Sequence, residues 1–144
     1  RRLEIFEIEL AVIFSGHFAP EQLDLIESIS KDWNSSGNKM KVLALSINME
    51  IRDSMAPDHA GIFETTVLSY FHPESVDISA LPDAQEFPLE DIDEDVFGLQ
   101  RHDPAHILWG VFGPDPRNYD PSMAEALVTK ISHAIEQEVL RTLS

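Results

Sequence analysis

Two continuous apolar runs, Leu10-Ala11-Val12-Ile13-Phe14 and Val42-Leu43-Ala44-Leu45-Ser46-Ile47, constrain this chain more than any other feature. Runs this short and this uniformly apolar predict strands buried on both faces, as in a parallel sheet. The residues between them have a different period. Pro20 suits a first helical turn, and Leu25, Ile26, Ile29 and Trp33 recur at three- and four-residue spacing up to the breaker cluster Asn34-Ser35-Ser36-Gly37. Strand, helix, strand is a βαβ unit, for which a right-handed crossover is the expected topology.

Downstream, Ile62, Phe63, Thr66, Val67, Tyr70 and Phe71 form a second helical stripe, opening near Asp58-His59-Ala60-Gly61 and ending before Pro73. The stretch from Glu74 to Asp95 carries many carboxylates, no Lys or Arg, and the breakers Pro82 and Pro88, and is expected to be an acidic surface excursion. Ile107-Leu108-Trp109-Gly110-Val111-Phe112 is expected to be a third buried strand. Asp120 and Pro121 are placed as N-cap and first residue of a last helix, with Leu127, Ile131, Ile135 and Val139 as its stripe and Arg141 at its negative end. Trp33, Trp109 and Tyr70 read as core or interface aromatics. The fold class expected is α/β, in a single domain over residues 1–144.

Charge narrows the function classes. Asp and Glu number 26 against 10 Lys and Arg, a formal net charge of -16, and there is no Cys. A chain this acidic is not expected to track nucleic-acid phosphates or an anionic membrane surface. It has neither disulfides nor thiolate metal ligands. No apolar run approaches the ~20 residues of a membrane span, so a cytoplasmic location is the expectation. No nucleotide-binding glycine loop, serine-hydrolase elbow, His-Glu-x-x-His helix or calcium loop is present.

Ligands of open parallel sheets bind where strand ends feed helix N-termini. Gly16-His17-Phe18-Ala19-Pro20-Glu21 occupies such a place, with Gly16 giving a tight turn. His17 and Glu21 there can ligate a divalent metal. Such residues are also common in purely structural roles, the Glu answering the helix dipole. Asp58-His59 at the next helix start can present an imidazole as general acid or base. Equally, Asp58 caps that helix and His59 is solvated. Of the other histidines, His72 is explained by its helix end, His133 lies on a polar face, and His102 and His106 flank Asp103-Pro104 in an acidic loop where solvation outweighs a surface metal site.

Three ordered segments go further. Gly16-His17-Phe18 with Glu21-Gln22, then Asp58-His59-Ala60-Gly61-Ile62-Phe63-Glu64-Thr65-Thr66, then Gly110-Val111-Phe112-Gly113 with Asp115-Pro116-Arg117, together resemble the creatininase (creatinine amidohydrolase) family along most of the chain. The resemblance implies a three-layer sandwich with a mostly parallel sheet flanked by helices. It implies a metal-dependent hydrolase of a C–N bond in a small cyclic amide or formamide-type molecule, using metal-activated water. It also implies two Zn or Mn ions per complete site and a homo-oligomer, commonly a hexamer. His17 maps to a metal ligand and Glu21 to a second ligand at longer spacing than the family's. His59 maps to the proton donor to the leaving nitrogen, with Asp58 as its acidic neighbour. Phe18, Asn48 and Met55 map to substrate-facing positions. Asn48 and Met55 stand where creatininase itself has tryptophans, which turns the expectation from creatinine toward related amides.

The family's first strand-end motif, with a Glu, a His and a bridging Asp, lies upstream of anything in these residues. The expectation is therefore the C-terminal larger part of a creatininase-like domain. The competing reading is a catalytically silent subunit or binding module that lacks a complete metal site.

Overall fold

In the computed structural model, residues 2–17, 19–47, 55–89 and 103–144 are described, Glu4 by its backbone alone. They form an α/β protein with a two-stranded parallel sheet and helices. The chain divides into two compact units, residues 1–52 with 130–144, and residues 53–129.

The first unit opens with one helical turn, α1 (Arg2–Ile5), followed by β1 (Leu10–Ser15), α2 (Pro20–Ser35) and β2 (Lys41–Ser46). β1 and β2 pair in parallel from Leu10 opposite Lys41 to Ser15 opposite Ser46, the βαβ arrangement that the two apolar runs predict. The pairing extends past both ends, with Lys41 N–H donating to the Glu9 carbonyl at 2.8 Å and Ile47 N–H to the Ser15 carbonyl at 3.0 Å.

Side chains of α2 fix its end against β2. Asn34 donates to the Val42 carbonyl and accepts the Val42 N–H, at 2.8 and 2.9 Å, so its amide stands in for a neighbouring strand. The Trp33 indole donates to the Met40 carbonyl at 2.8 Å, which accounts for an aromatic that is only half-buried. Met40, Leu45, Ile47 and Ile131 are the buried apolar residues here. Burial of β1 on both faces is not observed. Val12, Ile13 and Phe14 are 39, 37 and 42 % exposed, because the sheet has only two strands among the described residues and β1 is an edge.

The second unit contains α3 (Ile62–Phe71) and short 3₁₀ turns at Pro73–Ser75, Ile78–Ala80, Pro116–Asn118 and Pro121–Met123. Its buried apolar side chains are Phe63, Leu108, Val111, Ala124 and Leu127, with Thr66 wholly enclosed and its hydroxyl donating to the Ile62 carbonyl at 2.6 Å. The last helix, α4 (Ala124–Leu143), runs from this unit's residues into those of the first. Its stripe is as predicted, with Leu127 and Ile131 buried and Ile135 and Val139 half-buried. Asp120 does cap, but at the 3₁₀ turn that precedes α4, where it accepts the Ser122 N–H at 2.9 Å.

The expected strand over 107–112 is a run of turns instead. The carboxylate of Asp103 takes the Ala105 N–H at 2.9 Å, and the ring of His106 takes the Leu108 N–H at 3.1 Å. Backbone bonds from His106, Trp109 and Val111 each reach back three residues. Local side-chain acceptors thus win the backbone from the ladder. Leu108 and Val111 turn inward while Ile107 and Trp109 stay exposed. Of the acidic excursion, the described part is mostly exposed, and 90–95 lies outside the described residues. Among the described residues no helix is long and apolar enough to cross a membrane.

Candidate functional site

The second unit folds around the Asp58 carboxylate. Asp58 is buried, and its two oxygens accept three backbone N–H groups: Phe63 at 2.8 Å, Glu64 at 3.1 Å and Gly61 at 3.2 Å. These are donors of the turn that opens α3, so the carboxylate caps the helix from three residues before its N-cap, Gly61. Burial pushes the Asp58 carboxyl above the usual carboxylate range, against the pull of its three N–H donors. Two glycines make room for it. A Cβ at Gly61 would collide with the Asp58 carboxylate and lie 2.9 Å from the Pro114 carbonyl, and a Cβ at Gly113 would lie 2.6 Å from the Asp58 Cβ.

His59 follows directly. Its N–H donates to the Phe112 carbonyl at 2.9 Å and its carbonyl accepts the Phe112 N–H at 2.7 Å, an isolated antiparallel bridge. The two rings stack above this bridge, with centroids 5.3 Å apart and planes 16° from parallel. Ala60 then takes a left-handed conformation, φ +52°, uncommon for a residue with a Cβ. Its N–H donates to Glu64 Oε2 at 2.7 Å, and the same oxygen lies 3.9 Å from His59 Nδ1. The side chains of His59 and Glu64 remain 56 and 44 % exposed, so the imidazole is anchored on one side and accessible on the other.

Below this cluster Arg117 makes a bidentate pair with Asp115, at 2.7 to 3.0 Å, and donates to the carbonyls of Pro82 and Phe87 at 2.8 and 3.1 Å. Both side chains are largely buried. The guanidinium holds the Asp115 carboxyl below the usual range. Arg117 thereby ties the proline-containing excursion to the Asp115-Pro116-Arg117 motif.

In the first unit, His17 and Glu21 are exposed on either side of the turn after β1. Ser15, buried at the strand end, donates from Oγ to the His17 carbonyl at 2.5 Å and accepts from Gln22 Nε2 at 2.7 Å, which fixes the turn. Gly16 is not among the positive-φ glycines, and a Cβ there would meet nothing within 4 Å.

Of the anticipated site residues, Asp58 and His59 lie together, whereas His17 and Glu21 belong to the other unit. Met55 is half-buried at the start of the second unit, and Phe18 and Asn48 lie outside the described residues. His17 and Glu21 have donor chemistry suited to Zn or Mn. A protein-built site for such ions takes three or more ligands, and among the described residues no group of three His, Cys, Asp or Glu is assembled to hold one. The pair alone does not make a metal centre. Glu64 and Phe112 were not anticipated as site residues. A Glu three residues after Gly61 is the spacing of a capping box, the signal that could have pointed to Glu64. Comparisons of the chain with protein-family models, curated proteins and solved structures find no match.

Proposed function

We propose that this chain is a creatininase-like metal-dependent hydrolase of a C–N bond in a small cyclic amide or formamide-type molecule, with His59 as the acid that protonates the leaving nitrogen. The observation that supports it is the bridge and stack between His59 and Phe112, which joins the Asp58–Thr66 motif to the Gly110–Gly113 motif. With Nδ1 on the Glu64 side, Nε2 is left as the other nitrogen of an imidazole that is 56 % exposed. A positioned imidazole of this kind contributes about 10²–10⁴-fold to proton transfer. Asp58 acts through the backbone in this reading, by fixing the turn that carries His59. The reading also carries a three-layer sandwich, a homo-oligomer of hexamer type, a cytoplasmic setting and a small-molecule substrate, without nucleic acid or membrane as partner.

A divalent Zn or Mn, when bound, supplies an activated water and polarises the scissile carbonyl. His17 and Glu21 would contribute one imidazole and one carboxylate toward two such ions, and the family resemblance assigns Phe18, Asn48 and Met55 to substrate binding. The test is metal content per chain of the full-length protein after incubation with Zn or Mn. About two ions per chain in the wild type, and a clear loss in His17→Ala, support the reading. Equal metal in both proteins removes His17 from it.

A second reading, a catalytically silent subunit or binding module, is favoured by the use made of Asp58, whose oxygens are engaged by three N–H donors and so are not offered to a ligand. No turnover and no bound metal in the full-length protein would select it.

A further inference from the structure

Glu64 stands at the third position of α3, and one of its oxygens faces two partners, the Ala60 N–H at 2.7 Å and His59 Nδ1 at 3.9 Å. The second distance is that of a charge contact rather than a hydrogen bond. Most exposed pairs of this sort contribute little, because two long side chains must be ordered to form them. Here both are ordered already. The Ala60 N–H holds the carboxylate, and the Phe112 bridge and stack hold the imidazole. The left-handed turn at Ala60 is what directs its N–H to Glu64, and strained backbone of this kind persists where the surroundings over-determine it.

We propose that Glu64 is a positioning residue that keeps the proton of neutral His59 on Nδ1 and so leaves Nε2 as the edge that exchanges protons with the substrate. This deepens, and for its catalytic meaning rests on, the hydrolase reading above. In the reaction, the electron pair of the breaking C–N bond stays on nitrogen and takes the Nε2 proton of the imidazolium. The ring is then neutral with its remaining proton on Nδ1, beside the Glu64 carboxylate. The carboxylate on the Nδ1 side favours this tautomer.

The test is ring ¹⁵N NMR of the full-length protein in alkaline solution, with the His59 signals assigned by their loss in His59→Gln. The wild type is expected to show a protonated Nδ1 and an unprotonated Nε2. In Glu64→Gln the carboxamide oxygen that accepts the Ala60 N–H is also the atom that faces Nδ1, but it no longer carries a charge. The Nδ1 preference should therefore weaken, with the two nitrogen shifts moving toward each other. Glu136→Gln, at the similarly exposed His133–Glu136 pair 3.4 Å apart, is expected to leave the His59 signals unchanged. Should Glu64→Gln not fold, Glu64→Asp keeps the charge and shortens its reach, and the Nδ1 preference should weaken. Unchanged His59 shifts in the folded variant overturn the proposal. This readout needs no turnover, so its failure is distinct from failure of the hydrolase reading, which shows as absent activity with wild-type His59 shifts in place.

Discussion

His59 and Phe112 are joined twice, through a two-bond backbone bridge and through rings stacked 5.3 Å apart. The bridge is independent of side-chain identity, but the stack is not. Phe112→Ala should therefore retain the fold of the second unit while freeing the imidazole. For a half-buried aromatic the expected loss is about 2 kcal/mol in urea unfolding. If His59 lies in an active site, kcat should fall more than KM rises.

The close approach of Gly113 to Asp58 gives a sharper stability prediction. Its φ is +110° and a Cβ would sit 2.6 Å from the Asp58 Cβ, so Gly113→Ala combines a strained backbone with a collision. It should cost more than about 2 kcal/mol. Gly16→Ala, with open space around the new methyl, should change stability by less than about 0.5 kcal/mol. Equal midpoints for the two variants would contradict the geometry.

Asp58 and Asp115 should respond to acid with opposite sign. Asp115 is held below its ordinary value near 3.8 by Arg117, so its stabilisation is present above that value and is lost as pH falls through the folded-state value. The gap between wild type and Asp115→Asn should then shrink in acid. Asp58 is raised above 3.8, chiefly by burial, so its contribution is fully present below that value and declines as pH rises through the folded-state value. The gap between wild type and Asp58→Asn should shrink in that opposite direction. Denaturant titrations at a series of pH values separate the two.

Removing the capping acceptor altogether leaves three N–H groups without a partner. Asp58→Ala should cost about 2–3 kcal/mol, whereas Asp58→Asn retains one acceptor and should cost about half as much. Hydrogen exchange at Gly61, Phe63 and Glu64 should accelerate in the Ala variant more than elsewhere in α3.

The order of elements was readable because periodicity reports burial. The run 10–14, the helical stretch from Pro20 to the breaker cluster at Asn34 and the run 42–47 became β1, α2 and β2 within a residue or two. The run 107–112 misled for a physical reason, since a short apolar stretch has no period of its own. Its conformation is decided by Asp103 and His106, whose side chains take backbone N–H groups and curl the chain into turns. At the site, the adjacency of Asp58 and His59 to a helix start was legible. The pairing of His59 with Phe112 was not, because a single antiparallel bridge between distant segments leaves no mark in composition or spacing. The engagement of Glu64 was recorded only faintly, in its distance from Gly61.

The central claim is that His59 delivers a proton to a leaving nitrogen. The measurement closest to it is release of amine or ammonia from a panel of cyclic amides and formamides by the full-length protein supplied with Zn or Mn, in wild type and His59→Gln. The account predicts turnover of at least one of these substrates, reduced about 10²-fold or more in His59→Gln with metal content unchanged. Wild-type rates in His59→Gln, or no turnover of any substrate by the metal-loaded wild type, would contradict it.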